Sequence, residues 1–325
     1  MRHKRAMQGA FSSLWRNDRK TASSANRQSR RQAIDVYRGL AILAMVAYHA
    51  TWDLNFYRII EVGIGVDALW FALQRAILTA FLLLVGAGLW LAHKDGIDWR
   101  SYWKRQAILV AAALGVSVVT WFQFGEYFAY FGVLHAIALS SLLALPLVRA
   151  PLWAPIGTAI VFLFLPAVFA SALFNTRWLA WIGFFTAVPE TADLVPMFPW
   201  FGVVLLGLIG MRLFEAAPIF TWSSSSPWAR VLARLGRWSL IIYLVHQPLL
   251  FAAITPLANW LDQMPVDKFT SFTMSCEASC SEGNDAAYCR RYCSCALDIT
   301  IRDNLWDAAA DEVERMTRLC TEMAR

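Results

Sequence analysis

Charged residues are scarce in this sequence. Only 16% of its 325 residues are Asp, Glu, Lys or Arg, whereas 58% are hydrophobic, and the mean hydropathy is +0.46. This balance excludes an ordinary soluble domain, in which about a quarter of the residues are charged. The sequence also lacks a glycine-rich phosphate-binding loop, a nucleophile elbow and a recognisable set of metal ligands. Those common catalytic motifs are therefore excluded as well.

Long apolar runs are abundant instead. A membrane-spanning helix needs roughly 20 apolar residues. Seven runs approach that length: residues 34–54, 66–91, 106–123, 128–148, 152–173, 195–214 and 238–258. A shorter run, residues 178–188, ends at Pro189 and is compatible with an eighth span, a re-entrant segment or a helix on the membrane surface. The sequence thus predicts an all-α, polytopic transmembrane helix bundle of seven or eight spans.

Lysine and arginine predict the orientation of the bundle. The first 31 residues contain nine of them and no apolar core that would serve as a cleaved signal peptide. Because basic residues favour the cytoplasmic side, we expect a cytoplasmic N-terminus, and seven spans place the C-terminus on the opposite side. The net charge of +6 indicates attraction to anionic membrane lipid, and nothing indicates binding to nucleic acid.

Cysteine is absent before residue 276, where the composition has become acidic and soluble in character. We therefore predict three parts: a disordered basic cytoplasmic tail (1–31), a transmembrane domain (32–262) and an exported, Cys-rich helical tail (263–325). All six cysteines lie in the last part, namely Cys276, Cys280, Cys289, Cys293, Cys295 and Cys320.

The spacing of these cysteines favours disulfides. Two C-x3-C pairs are separated by SEGNDAAY, and an i,i+4 spacing puts both thiols of a pair on one helix face. A zinc site and free thiols are the alternatives, but the tail has no histidine, and disulfides persist outside the cytoplasm. The connectivity stays open, although an antiparallel hairpin fits a nested pairing of Cys276 with Cys293 and Cys280 with Cys289, leaving Cys295 and Cys320 to each other.

The first apolar run, IDVYRGLAILAMVAYHATWDLN, contains four ionisable residues: Asp35, Arg38, His49 and Asp53. Each charge near a bilayer centre costs roughly 2.5 to 3.5 kcal/mol, so such residues indicate a functional site. Arg38 and His49 are eleven positions apart, close to three helical turns, and lie on one face. Asp53, one turn further, is placed to orient the His49 ring. An interfacial anchor for Arg38 and a carbonyl-bonded histidine for His49 are the alternatives.

Other polar residues fall within later runs. Gln74 and Arg75 lie in the second run, and Arg75 requires a carboxylate, with Asp53 and Asp67 as candidates, or an anionic ligand. Further candidates are His135 in the fourth run and His246 and Gln247 in the last. A lone intramembrane histidine or glutamine is often only an interhelical hydrogen bond, so that alternative stays open.

Five collinear segments carry a resemblance to a known family: DVYRGLAILAMVAYHATWDL, FLLLVGAGL, YFGVLHAIALSSLLA, VPMFPWFGVVLLGL and LGRWSLIIYLVHQPLL. Over roughly residues 31–258 the sequence resembles bacterial membrane proteins that contain the heparan-α-glucosaminide N-acetyltransferase catalytic domain. The first segment is also similar to the acyltransferase-3 group, in which an arginine, ten residues and a histidine mark the acyl-transfer site; here these are Arg38 and His49. The eukaryotic lysosomal enzyme has its catalytic histidine just after the first span, where this sequence has none.

The resemblance implies a multi-pass enzyme of the bacterial inner membrane. It would take an acetyl or acyl group from cytoplasmic acyl-CoA, without a metal, and deliver it to a sugar or glycan amine or hydroxyl on the outer side. Arg38 would hold the donor, His49 with Asp53 would act as the base, and Arg75 would stabilise the thioester oxyanion. The alternatives are a proton-coupled transporter or exporter that uses the same residues, and a noncatalytic assembly protein. The sequence does not reveal the acceptor or the oligomeric state.

Overall fold

The computed structural model describes residues 32–57, 59–60, 62, 67–261, 268–281, 284–303, 305 and 310–324. The basic tail, residues 1–31, lies outside them. Helices make up almost all of the regular structure in this part of the chain, and its one β-bridge joins Phe131 to Leu194. The expected all-α class is confirmed.

Thirteen α-helices, α1 to α13, follow one another through the described residues. In chain order they are Gln32–Phe56, Ala68–His93, Trp99–Phe124, Val133–Arg149, Trp153–Val168, Arg177–Ala180, Met197–Phe214, Pro218–Thr221, Pro227–Arg237, Ser239–Trp260, Lys268–Cys280, Ala286–Arg302 and Ala310–Ala324.

The seven predicted apolar runs correspond to α1, α2, α3, α4, α5, α7 and α10. Five of these helices, α1, α2, α3, α7 and α10, are long and apolar enough to cross a membrane, whereas α4 and α5 are shorter apolar helices of 17 and 16 residues. The run 178–188 contains only the end of the four-residue helix α6 and then turns at Gly183, whose φ is +112°. The run therefore contains too few helical residues to form an eighth span.

Two compact units divide the chain, and among the described residues the first comprises 32–49 and 67–248. Its core lies between α2, α5 and α7, with Leu82, Val204 and Leu208 fully buried. Gly86 of α2 lies against the backbone of Val204 on α7, and Gly207 lies against α2 in the same way. Apolar side chains gain little from association in lipid, so such close backbone contact between small residues is a main source of helix packing there.

Helix α9 is amphipathic. Ala229, Ala233 and Gly236 are buried, and Gly236 meets the backbone of Asp35 on α1. The basic residues of the helix are Arg230, Arg234 and Arg237. With an apolar face against α1 and a basic face away from it, α9 has the pattern of a helix that lies in a membrane interface.

The second unit comprises the described residues between 50 and 62 and those between 249 and 324. In it the Tyr57 hydroxyl lies 2.7 Å from the Thr255 hydroxyl, next to the buried Ile254 and Ala258. Helix α12 begins at a cap formed by Asp285, whose carboxylate accepts hydrogen bonds from two backbone N–H groups, and these bonds lower the pKa of Asp285.

Three disulfides join the Cys-rich helices of this second unit. They are Cys276–Cys293, Cys280–Cys289 and Cys295–Cys320. The nested pairing is therefore confirmed, and no described cysteine is free. The two nested bridges tie α11 to α12, and the third ties α12 to α13. Since they close loops with sequence separations of 17, 9 and 25 residues, each stabilises the fold by about 2 to 4 kcal/mol.

Candidate functional site

Two histidines face each other in the first unit. The rings of His49 on α1 and His246 on α10 have their centroids 4.9 Å apart. His246 is buried, with 9% of its surface exposed, whereas His49 is partly buried. Spacing along a single helix does not predict this pair, because the two histidines belong to helices far apart in the sequence.

The hydrogen bond of His246 defines its tautomer. Its Nδ1 lies 2.7 Å from the carbonyl oxygen of Tyr243, and only an N–H can bond to a carbonyl, so Nδ1 is the donor. In a neutral ring, Nε2 then has no proton and carries a lone pair. This nitrogen is buried and has no hydrogen-bond partner among the described residues. A lone pair held in this way has the chemistry of a proton acceptor.

Aromatic side chains surround the pair of histidines. Tyr48 contacts the ring of His49 at 5.8 Å between centroids and that of Trp70 on α2 at 5.9 Å. Tyr243, one turn before His246, lies 5.8 Å from its ring. Such tilted and edge-to-face contacts favour particular orientations of the two imidazoles.

Asp193 is an acid in this unit that sequence reasoning did not single out. It lies in the loop before α7, and its Oδ2 accepts a 2.9 Å hydrogen bond from the backbone N–H of Val133, the first residue of α4. The preceding Gly132 has no side chain with which to cap that helix. Burial raises the pKa of the Asp193 carboxyl to about 6, although the Val133 hydrogen bond opposes this shift. Its charge also acts on Tyr243, beside His246. The only signal in the sequence was an acid close to a span, in PETADL.

The structure gives His135 a different environment. Its Nδ1 accepts a hydrogen bond from the backbone N–H of Gly132, and its Nε2 lies 3.3 Å from the Ser117 hydroxyl on α3. That hydroxyl donates its own proton to the carbonyl of Ala129, so it accepts from Nε2. Both ring nitrogens of His135 are thus used within the protein, which favours the interhelical hydrogen bond over a role as a base.

A second polar cluster surrounds Arg38 in the first turns of α1. Its guanidinium forms a 3.3 Å ion pair with Asp35 and reaches α2 at Gly88. The positive charge of Arg105 on α3 acts on the same guanidinium. With two arginines and one carboxylate, this cluster has a net positive charge and suits an anionic ligand. Arg105 was not among the predicted site residues.

The remaining predicted residues are dispersed. Asp53 is fully buried and belongs to the second unit, so its orienting effect on His49 stays a prediction. Gln74 and Arg75 are exposed on α2, Asp67 precedes that helix, and Gln247 follows His246 on α10.

Arg75 was expected to pair with a carboxylate or with an anionic ligand, and the second of these stays a prediction. No described residue forms an ion pair or a hydrogen bond with Arg75. Helix α2 begins at Ala68, which places Arg75 only about two turns from the helix start rather than in its middle. A long side chain at that depth can extend to the interface, so the carboxylate is not required.

The described residues contain no cluster of three or more His, Cys, Asp or Glu side chains that could hold a metal ion. Acid-base chemistry on the histidine pair is what the arrangement itself offers.

Comparison with known proteins shows the family of the chain. The family model described as heparan-α-glucosaminide N-acetyltransferase, catalytic, matches residues 30–248, which contain both polar clusters. No curated protein and no solved structure matches the chain. The family implies acetyl-CoA as the donor and a sugar as the acceptor. The match covers more than half of the sequence, and the chain therefore belongs to the heparan-α-glucosaminide N-acetyltransferase catalytic family, with the function of a membrane acetyltransferase.

Proposed function

We propose that this protein moves an acetyl or acyl group from cytoplasmic acyl-CoA to the amine or hydroxyl of a sugar on the outer side of a bacterial inner membrane. The observation that carries the proposal is the pair of His49 and His246, with rings 4.9 Å apart and a buried lone pair on His246 Nε2. Acyl transfer needs a base beside the attacking atom, and both rings of this pair have a nitrogen without a described hydrogen-bond partner.

His49 is the residue that contacts the acceptor. It forms no hydrogen bond with a described residue, and it is less buried than His246. Two adjacent imidazoles repel each other when both are positively charged, so the pair takes up at most one additional proton during turnover. His246 is therefore a positioning residue that keeps His49 neutral and ready to accept the proton of the acceptor.

The donor binds through the Arg38 cluster. The phosphates of acyl-CoA are anions, and guanidinium groups bind phosphate oxygens in pairs. Arg38 and Arg105 supply two such groups, while Asp35 holds the first in place. Arg75, exposed on α2 and without a described partner, is available for the thioester oxyanion.

The reaction balances on these groups. The acceptor nitrogen or oxygen loses a proton to His49 and forms a bond to the thioester carbonyl carbon. The carbon–sulfur bond breaks, and the CoA thiolate takes the proton that His49 received. The products are the acylated sugar and free CoA, and the histidine pair returns to its starting state.

The test is transfer of radiolabelled acetyl from acetyl-CoA to sugar acceptors in closed membrane vesicles of known orientation. We expect His49→Ala to lower the rate by about 10² to 10⁴-fold, the usual effect of losing a general base. The matched control is His135→Ala, which removes the same ring from a position where both nitrogens serve structure. Near-normal transfer by a well-expressed His49→Ala protein would reject the assignment, as would equal losses in the two variants. Transfer only to acceptors on the donor side would reject the proposed sidedness.

A further inference from the structure

Helix α9 presents a row of arginines on the surface that faces away from α1. Arg230, Arg234 and Arg237 follow the spacing i, i+4, i+7, which places the three side chains on one side of the helix. All three are exposed, and no described carboxylate forms an ion pair with any of them. This side of α9 therefore carries a positive charge that the described part of the chain does not compensate.

The other exposed side of α9 is apolar and aromatic. Trp228, Val231 and Trp238 are 77%, 48% and 56% exposed. Their spacings of three and seven positions place them on one side of the helix, next to the arginines rather than against α1. Two exposed tryptophans are unfavourable in water, whereas indole rings concentrate at the boundary between lipid headgroups and acyl chains. The two exposed sides together therefore match the two layers of a membrane surface.

The chain places the end of α9 at a membrane boundary. Trp238 alone lies between α9 and α10, which runs from Ser239 to Trp260 and is long and apolar enough to cross a membrane. The end of a spanning helix lies at the level of the headgroups, so α9 leads into the bilayer from there. Guanidinium groups at that level bind phosphate oxygens of the headgroups.

The third side of α9 is occupied by α1. Gly236 lies against the carbonyl of Asp35, and Gly39 lies against the carbonyl of Leu232. Asp35 and Gly39 are on either side of Arg38 in the sequence, so α9 packs on the turns of α1 that carry this arginine. The protein itself covers the small-residue side, and the basic and aromatic sides are left for the bilayer.

We propose that α9 is a docking surface for anionic phospholipid, in which its three arginines bind headgroup oxygens while its two tryptophans and Val231 contact the acyl chains. The partner is a lipid with a net negative headgroup, because three guanidinium groups without a described counter-ion are complementary to it, whereas a zwitterionic headgroup supplies its own cation. This surface is separate from acyl transfer and does not depend on it.

The test measures which lipid lies next to α9. All six cysteines form disulfides, so a cysteine introduced as Val231→Cys is the one thiol that a fluorescent label can modify. The labelled protein would be reconstituted in vesicles with equal amounts of phosphatidylglycerol and phosphatidylcholine, with quenching bromine atoms on the acyl chains of one lipid or the other. We expect phosphatidylglycerol to be enriched at the label by about fivefold or more, because one basic residue near an anionic headgroup already contributes about that factor.

The decisive variant removes the three charges of α9 and keeps side chains that favour a helix: Arg230→Gln, Arg234→Gln and Arg237→Gln. In this background the enrichment at the label should fall to about onefold, and lysine at the same three positions should preserve most of it. The matched control removes the same charge from exposed helix positions of the second unit: Arg290→Gln, Arg315→Gln and Arg318→Gln. It should leave the enrichment unchanged.

A second label position controls for general enrichment of anionic lipid around the protein. Val168 is 82% exposed at the end of α5, and the sequence has no Lys or Arg between Arg149 and Arg177. A label at Val168→Cys should be quenched equally by the two brominated lipids. This comparison needs no change of charge, so it tests the inference even where the glutamine variant does not fold.

Several results would overturn the inference. Equal quenching by the two lipids at Val231→Cys would remove the preference for charge, and no quenching by either would place α9 away from the bilayer. Equal enrichment at the two label positions, or enrichment that survives in the glutamine variant, would assign the preference to another part of the chain. Loss of enrichment on adding inorganic phosphate at constant ionic strength would mean that the arginines bind free phosphate instead. None of these measurements uses acyl transfer, so their failure is distinct from a failure of the proposed function.

Discussion

At the scale of single residues, the hydrogen bonds of each histidine decide what its ring can do. His135 uses both nitrogens within the protein, His246 uses Nδ1, and His49 forms no hydrogen bond with a described residue. The sequence identified all three because polar side chains are rare and costly inside a membrane. It did not distinguish their roles, because the partners of a ring depend on how neighbouring helices are rotated about their axes.

The arginine at the start of α1 gives a prediction at this scale. Arg38→Ala should raise the KM for acyl-CoA by about 10 to 100-fold and leave kcat nearly unchanged, because a contact made equally in the ground and transition states affects only binding. Initial rates at varied acyl-CoA concentrations measure the two parameters. The effect should decrease at high salt, which screens the attraction between guanidinium and phosphate.

A suitable control for Arg38 is Arg149→Ala, since Arg149 is exposed at the end of α4 and forms no described ion pair. We expect its KM to equal that of the wild type. A lower kcat with an unchanged KM in Arg38→Ala would contradict the assignment and indicate a role in the chemical step.

At the scale of helices, the apolar runs predicted the elements well and some of their ends poorly. A chain in hydrocarbon must satisfy its backbone hydrogen bonds internally, so each long apolar run became a helix. The fourth run was predicted from residue 128, but α4 begins at Val133, because the preceding residues bond instead to the loop that contains Thr191 and Val195. Such contacts between distant segments are not visible in local hydrophobicity. For the same reason Asp193, which belongs to that loop, was missed.

Close packing between helices gives the prediction at this scale. A Cβ added at Gly86 would collide with the Val204 backbone of α7, so Gly86→Ala should force α2 and α7 apart and destabilise the protein by about 1 to 3 kcal/mol. Thermal unfolding in detergent, followed by circular dichroism, measures the change. Gly115→Ala on α3 is the control, because an added Cβ there meets no atom within 4 Å.

The control should be neutral or slightly stabilising, since alanine favours a helix over glycine by about 0.5 to 1 kcal/mol. Equal melting temperatures for the two variants would show that the contact between α2 and α7 does not limit stability.

At the scale of the whole molecule, the sequence predicted an N-terminal membrane region and a Cys-rich tail, and the family match covers the first of these alone. The nested disulfides agree with a pairing that two C-x3-C pairs on the helices of a hairpin allow, although the sequence left the connectivity open. The pairing of His49 with His246 did not follow, because it joins helices that are almost 200 positions apart in the sequence. Local spacing predicts contacts within an element or a hairpin, whereas contacts between distant helices require the complete packing.

The disulfides also give a prediction about where the tail resides. If the N-terminus is cytoplasmic and the tail is exported, the six cysteines should be oxidised in the native protein, because an oxidising compartment preserves disulfides and the cytoplasm reduces them. Alkylation without reductant, followed by mass measurement, should then modify none of the six, and prior reduction should expose all of them.

Orientation can be measured independently by fusing alkaline phosphatase after Gln263, where an exported tail gives an active enzyme. A cytoplasmic reporter at the same position should be inactive. An active cytoplasmic reporter would mean an even number of spans, and the disulfides would then face a reducing compartment in which they could not persist. Four or more alkylated cysteines in a protein whose fusion is exported would instead contradict the disulfides themselves, so the two measurements separate the topology from the covalent structure of the tail.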